Sequence, residues 1–169
     1  AMMAKRRPPG WHRTFAFMAW PAFRPHRWEF LKRRAGGHAR SLEAPRIWAS
    51  DIRRDACERL EQSLRLHDLA DAVTVACRDF FELDPRGLGL RPGLVALNPP
   101  YGKRLGSRTR GAERLQNVLE VLTERYRGWN LLLIVPHTGR QRHFPFNSTV
   151  HRLVHGGLSI DVICGRIPA

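Results

Sequence analysis

Short apolar runs alternate along the chain with segments in which apolar residues recur at helical spacing. The apolar runs cover residues 47–51, 72–79, 94–97 and 130–137. A strand that is apolar throughout is typical of a parallel sheet covered on both faces, and helices between such strands supply the crossover connections. The pattern therefore predicts an α/β fold with a sheet of parallel strands covered on both faces.

Two segments between these runs have the periodicity of amphipathic helices. Residues 52–69 place Ala56, Leu60 and Leu64 at i, i+4 and i+8. Residues 112–127 place a longer set on one face, namely Leu115, Val118, Leu119, Leu122 and Tyr126. Each segment is predicted to be a helix with one face against the sheet.

The two ends of the chain depart from this alternation. The tail, residues 149–167, alternates apolar and polar positions around Gly156-Gly157 and predicts a terminal antiparallel hairpin. Residues 1–45 are rich in Pro, aromatic and basic residues and show neither periodicity until about Trp28, so they are predicted to be an ordered surface excursion. We expect one domain over 1–169, with residues 46–169 as its αβ core.

The net charge is the part of the composition that says most about function. The chain has 29 Lys and Arg against 15 Asp and Glu, a formal net charge of +14, with basic clusters at 5–7, 32–34, 103–110 and 125–127. Such an excess attracts polyanions and favours nucleic-acid binding. The alternative is a genome whose composition favours arginine.

The remaining composition limits the class of protein. The apolar run Leu131–Val135 is far shorter than the roughly 20 residues of a membrane span, and the first residues have charge without a following apolar segment, so no secretory signal is predicted. The three cysteines lack the paired spacing of a zinc or redox site. The eight histidines form no metal-binding pattern, so no metal is expected. We expect a cytoplasmic protein with reduced thiols and no membrane segment.

Asn98 begins a rigid turn at the end of the third apolar run. The stretch "LNPPYGKRLG", residues 97–106, places Asn98 before Pro99 and Pro100, which cannot continue a central strand or a helix. The side-chain and backbone carbonyl oxygens of Asn98 are then two fixed acceptors, which suit the two hydrogens of an exocyclic amine on a base. Tyr101 could stack on that base; the alternative is a stiff loop without a function.

Asp51 and Asp79 end the first two apolar runs in the same way. Ligands of open α/β sheets bind beyond the carboxyl ends of the strands, where a carboxylate can accept ribose hydroxyls or an adenine amine. Ile52 and Phe80 follow the two carboxylates and could pack against an adenine ring. Either aspartate could instead cap the helix that follows it.

"LNPPYG" after "IWASD" and "CRDF" resembles the class I S-adenosylmethionine-dependent methyltransferases that modify exocyclic amines. "NPPYGKRLG", "GWNLLLI" and "RTFAFMAWPAF" are more narrowly similar to the bacterial 23S rRNA guanine-N2 methyltransferase family, whose members often carry a THUMP RNA-binding domain. The resemblance covers nearly the whole chain and implies a Rossmann-like class I methyltransferase sheet. It implies the site roles in two sets. By this resemblance Asp51 binds the ribose of S-adenosylmethionine, beside the Ile52 noted above, Asp79 and Phe80 bind its adenine, and the target base is held by Asn98, Pro99, Pro100 and Tyr101.

The basic residues after the Asn-Pro-Pro-Tyr stretch could contact the RNA backbone. They are Lys103, Arg104, Arg108 and Arg110. A solvated loop is the alternative interpretation. Lys103 also departs from the family pattern, because members usually have an acidic residue at that position.

A second departure concerns the cofactor loop. The chain has no acidic-x-Gly-x-Gly pattern, and in the family that loop and its strand lie just before the segment that begins here. We therefore expect a partial catalytic domain without its first, central strand, which alone binds the cofactor weakly or not at all and is inactive. Two alternatives stay open. One is a non-catalytic RNA-binding module with a methyltransferase-like sheet, and the other is an adenine-N6 methyltransferase.

Overall fold

The computed structural model describes residues 1–8, 10–99, 108–139 and 143–169, and only the backbone of residues 108–110. The chain divides into two compact units, Ala1–Glu82 and Leu83–Ala169. Each unit is mixed α/β and is described here by itself. The single domain over 1–169 stays a prediction.

The helices and strands of the described residues alternate as the apolar pattern predicts. In chain order they are α1 (Pro25–Gly36), β1 (Ile47–Asp51), α2 (Arg54–Leu66), β2 (Val73–Cys77), β3 (Leu94–Leu97), α3 (Arg108–Arg125), β4 (Asn130–Pro136), β5 (Ser148–His155) and β6 (Leu158–Arg166). Three short 3-10 helices lie at Ala16–Ala19, Ala70–Ala72 and Phe80–Glu82.

In the first unit, β1 and β2 pair in parallel, with Ile47 opposite Val73 and Asp51 opposite Cys77. The crossover helix α2 contacts both strands. Cys57 and Leu64, seven residues or two helical turns apart, are its buried residues, whereas Leu60 is 38% exposed. The predicted helix is therefore confirmed, but its buried face passes through Cys57 rather than Leu60.

In the second unit the strand order is β3-β4-β6-β5. Strands β3 and β4 are parallel, and β5 and β6 form the predicted antiparallel hairpin, whose turn residues Gly156 and Gly157 have φ values of 55° and 78°. Alternate residues of β4, namely Leu131, Leu133 and Val135, are at most 2% exposed. A central strand between parallel and antiparallel neighbours explains why residues 131–136 are all apolar.

The N-terminal segment contains a helix that the sequence pattern did not predict. Helix α1 begins at Pro25, three residues before Trp28, with a proline in its first turn, where the missing N–H costs no hydrogen bond. None of its residues is buried, so it has no apolar stripe that periodicity could detect. The rings of Phe15, Phe17 and Trp28 contact one another with centroids 5.3–6.0 Å apart.

No helix within the described parts of the chain has the length and apolar character needed to cross a membrane.

Candidate active site

Asp51 and Asp79 lie at the carboxyl ends of the two paired strands of the first unit. Asp51 is the last residue of β1, and Asp79 follows β2 by two residues. The backbone N–H of Arg78 donates to the carbonyl oxygen of Asp51 at 3.0 Å, which extends the strand pairing by one step. The structure therefore places both carboxylates at the same edge of the β1-β2 pair.

Both aspartates form the same local turn. Oδ1 of Asp51 accepts the backbone N–H of Arg53 at 2.8 Å, and Oδ1 of Asp79 accepts the backbone N–H of Phe81 at 3.0 Å. Such an i to i+2 bond is an Asx turn. Within the described parts of the chain, no side chain donates a hydrogen bond to either carboxylate. Each carboxylate therefore has acceptor capacity left for a ligand.

Asp51 is not the N-cap of α2. That position is occupied by Arg53, which makes no side-chain capping bond. Arg53 instead binds Asp55 through Nε at 3.0 Å, and this hydrogen bond is the main reason that the pKa of Asp55 is lowered to about 2. The guanidinium beside Asp51 is thus paired with the carboxylate of Asp55.

The apolar residues of the predicted cofactor site follow the two aspartates. Ile52 is 66% exposed, which is unusual for an isoleucine and leaves its side chain available to a ligand. Phe80 is half-buried and contacts Phe81 edge to face at 5.5 Å. The four residues of this edge fit the ribose and adenine parts of S-adenosylmethionine, because the two carboxylates accept hydrogen bonds and the two apolar side chains can pack against a ring.

Asn98 lies at the carboxyl end of β3 in the second unit. It directly follows Leu97, which pairs with Leu133 of β4; Asn98 is exposed and Pro99 is half-buried. The exposed amide at a strand end agrees with its predicted position. The remaining target-base residues, Pro100 and Tyr101, lie outside the described residues.

The predicted RNA-contacting residues are described only in part. Lys103 and Arg104 lie outside the described residues. Arg108 and Arg110 lie in the first turn of α3, where only the backbone is described. The basic cluster 5–7 is described, and there Lys5 is 2% exposed and paired with Asp71, so Lys5 is not available to a polyanion.

A polar cluster at the end of β4 was missed by the sequence interpretation. His137 Nδ1 lies 2.9 Å from Oδ2 of Asp161, and Arg152 Nε lies 3.4 Å from Oδ1 of the same carboxylate. Burial acts to raise the pKa of Asp161, but the hydrogen bonds from His137 and Arg152 outweigh it and lower the pKa. The signal was present, because His137 ends an apolar run in the same way as Asp51, Asp79 and Asn98.

Known proteins resemble the chain in sequence. Residues 1–144 match the family described as "UPF0020: RMKL-like, methyltransferase domain". A Synechocystis protein named "Putative RNA methyltransferase slr0064" is 30% identical over 116 residues, 68% of this chain and 29% of that protein. The "Ribosomal RNA large subunit methyltransferase K/L" of Methylococcus capsulatus is 31% identical over 137 residues, 79% of this chain and 18% of that protein. The chain thus spans less than a third of either relative.

Solved structures resemble the chain in fold. The crystal structure of SMU.472, described as "a putative methyltransferase complexed with SAH", superposes with a TM-score of 0.77 and 20% identity over 99% of this chain and 43% of that one. A "possible methylase" from Clostridium difficile 630 gives a TM-score of 0.75 and 16% identity, covering 99% of this chain and 44% of its own. The predicted class I methyltransferase fold is confirmed by these two likenesses.

Proposed function

The chain belongs to the RMKL-like methyltransferase domain family, and from this we propose that it forms part of an enzyme that methylates an exocyclic amine of an RNA base, with S-adenosylmethionine as donor. The observation that carries the proposal is the exposed amide of Asn98 at the carboxyl end of β3. Its sequence context, two prolines and a tyrosine, supplies the fixed acceptors and the ring that this chemistry needs.

The substrate assignment goes one step further, to guanine N2 in 23S rRNA. The net charge of +14 supports a nucleic-acid substrate, and one relative is named for the large ribosomal subunit RNA. The choice of guanine N2 rests on the similarity of "NPPYGKRLG", "GWNLLLI" and "RTFAFMAWPAF" to the guanine-N2 methyltransferase family. A base inside a helix must first be flipped out of its stack to reach such a site.

The cofactor assignment rests on the edge formed by Asp51 and Asp79. One remaining carboxylate oxygen at the end of β1 suits the ribose hydroxyls, and one beyond β2 suits the adenine amine. Ile52, which is 66% exposed, is available to pack against the adenine ring. A bound S-adenosylmethionine would supply an electrophilic methyl group.

In the proposed mechanism the chain positions the acceptor amine. The Asn98 side-chain oxygen and backbone carbonyl accept the two N–H hydrogens, which aims the nitrogen lone pair at the methyl carbon. S-adenosylmethionine would supply the methyl group and leave as its thioether, and the acceptor nitrogen would lose one proton to water. Tyr101 holds the ring plane by stacking.

The test is methyl transfer to unmodified 23S rRNA by the product of the complete open reading frame. Asn98→Ala is expected to abolish transfer while cofactor binding, measured by calorimetry, is retained. Asn130→Ala is the matched control, because Asn130 is an exposed asparagine at the opposite, amino end of the adjacent strand β4. Unchanged methylation by Asn98→Ala would contradict the proposal, and transfer to adenine N6 instead of guanine N2 would correct the substrate.

A non-catalytic RNA-binding module is the second candidate, because the net charge of +14 supports RNA binding without requiring a cofactor. The codons upstream of Ala1 distinguish the two. A strand ending in Asp-x-x-x-Gly-x-Gly there would support the enzyme. RNA binding without any binding of S-adenosylmethionine by the complete product would favour the module.

A further inference from the structure

A cavity of about 510 Å³ lies on one face of the β4-β6-β5 sheet, near the carboxyl end of β4. Its floor is formed by alternate residues of three strands, including Val135, Asp161 and Val150. Strand pairing places Val135 opposite Asp161. Phe144 and Phe146 form part of its wall. The volume falls within the range of about 300–1,000 Å³ that is typical of small-ligand sites.

The polar side of this cavity is organised by a buried carboxylate. Asp161 is 8% exposed and binds His137 through one oxygen and Arg152 through the other. Because the carboxylate can only accept, Nδ1 of His137 carries a proton and Nε2 is left for a ligand. Arg152 donates through Nε, and its two terminal NH2 groups have no partner among the described residues.

The apolar side of the cavity offers an aromatic surface. Phe144 and Phe146 lie with ring centroids 5.8 Å apart and an interplanar angle of 24°. Phe146 is buried and stacks against the half-buried Phe144. The Arg152 guanidinium lines the same cavity. An aromatic ring and a guanidinium in one site are the combination that binds single-stranded nucleic acid, where the base stacks and the cation contacts phosphate.

One residue of the cavity, His137, lies at the same edge of the sheet as the candidate acceptor residue Asn98. His137 follows β4 and Asn98 follows β3, and these two strands are parallel neighbours. Both residues therefore lie at the same edge of the sheet in the second unit. The cavity itself is formed by β4, β6 and β5, on the far side of β4 from β3.

We propose that this cavity binds a nucleotide of the RNA strand next to the methylated one, with the base on Phe144, the adjoining phosphate on Arg152, and a hydroxyl or N–H of the nucleotide donating to Nε2 of His137. The proposal rests on the proposed function in two respects: the RNA substrate sets the ligand, and the methylated nucleotide sets which neighbour binds here. Asp161 is a positioning residue, since it holds His137 and Arg152 and does not itself contact the nucleotide.

Two variants test the site by RNA affinity, measured by fluorescence polarisation with a single-stranded RNA oligonucleotide and the complete gene product. Phe144→Leu and Arg152→Ala are each expected to weaken binding by about fivefold or more. Arg166→Ala is the control, because it removes an equal charge from an exposed position of β6 that pairs with Asn130, at the opposite edge of the sheet. Thermal unfolding midpoints equal to that of the parent show that the variants are folded.

Crosslinking locates the nucleotide independently of any substitution. RNA containing 4-thiouridine is expected to crosslink to the tryptic peptide 143–152, which contains Phe144 and ends at Arg152. Affinities within twofold of the parent for both variants, together with crosslinks elsewhere, would overturn the proposal. Because neither readout uses methyl transfer, a crosslink at 143–152 without transfer would leave this site standing while the proposed enzyme activity fails.

Discussion

Lys5 and Asp71 form an ion pair, with Nζ 2.6 Å from Oδ1, that joins the first residues of the chain to the segment before β2. Lys5 is 2% exposed, and its ammonium group also donates to the carbonyl oxygen of Asp68 at 2.9 Å. The other Asp71 oxygen accepts the backbone N–H of Leu42 at 2.9 Å. The pair therefore connects three parts of the first unit.

The two halves of this pair are expected to respond differently to removal. Asp71→Ala leaves the buried Lys5 ammonium with the Asp68 carbonyl and with the exposed Asp68 carboxylate at 3.8 Å, whereas Lys5→Met leaves Asp71, 30% exposed, accessible to water. Asp71→Ala should therefore lower the midpoint of thermal unfolding further, by roughly 3 °C or more. Glu61→Ala, which removes an exposed i,i+4 pair with Arg65, should change the midpoint by less than about 2 °C. Equal unfolding midpoints for Asp71→Ala and Lys5→Met would contradict this prediction.

Asp71 also predicts a dependence of stability on pH. The hydrogen bond from Lys5, followed by that from Leu42, lowers the pKa of Asp71 below its usual value. A carboxylate with a lowered folded pKa contributes stability that is complete above its unfolded pKa of about 3.9 and is lost as pH falls through the folded value. In urea unfolding between pH 7 and pH 2, Asp71→Asn should lose less stability on acidification than the parent protein. A parallel loss in both proteins would count against this role.

A substitution can remove the carboxylate of Asp51 and still keep the Asx turn that this residue forms. Asn can accept the Arg53 N–H as Asp does, so Asp51→Asn should keep the fold while weakening S-adenosylmethionine binding about tenfold or more. Asp84→Asn is the control. Asp84 makes the same turn with Arg86 at 2.9 Å but follows no strand. Calorimetric titration of the complete gene product measures both, and an Asp51→Asn affinity within twofold of the parent would remove Asp51 from the cofactor site.

The sequence predicted the strand ends because each depends on a few adjacent residues. The run 47–51 ends at Asp51 and the run 94–97 ends before Asn98-Pro99, and the structure places both ends there. Side-chain chemistry at a strand end is local, so the residue after an apolar run is a candidate without any knowledge of distant contacts. The same rule applied to 130–137 would have selected His137.

Contacts between distant residues were not predictable in this way. The partner of Lys5 lies 66 residues away, and that of His137 lies 24 residues away, across the β4-β6 pairing. The sequence places Lys5 in a basic cluster expected to attract polyanions, whereas its burial in the structure shows that it stabilises the fold. Helix α1 was missed for a related reason, since a helix without a buried face leaves no periodic pattern.

The thiols beside the Asp51 edge should differ in reactivity. Cys57 is 6% exposed, its Sγ lies 3.5 Å from the carbonyl oxygens of Asp51 and Ala76, and burial raises its pKa. Cys77, across the strand pair, is exposed. Since the thiolate is the reactive species, iodoacetamide at pH 8 should modify Cys77 first and leave Cys57 protected until urea is added. Mass spectrometry of the peptides measures the order, and equal native rates would show that Cys57 is not enclosed.

Gly165 of β6 is expected to control the wall of the cavity. It pairs with Ser148, and a Cβ at this position would lie 2.8 Å from the carbonyl oxygen of Asn147 and 3.3 Å from the ring of Phe146. Because the nearest atom is backbone, the 146–148 segment must move, and Gly165→Ala should destabilise the protein by about 1–3 kcal/mol. It should also weaken RNA binding, since Phe146 stacks against Phe144. Gly111→Ala, where an added Cβ meets no atom within 4 Å, is the control. Urea unfolding and fluorescence polarisation measure the two effects, and a Gly165→Ala protein with parental stability would show that the segment yields freely.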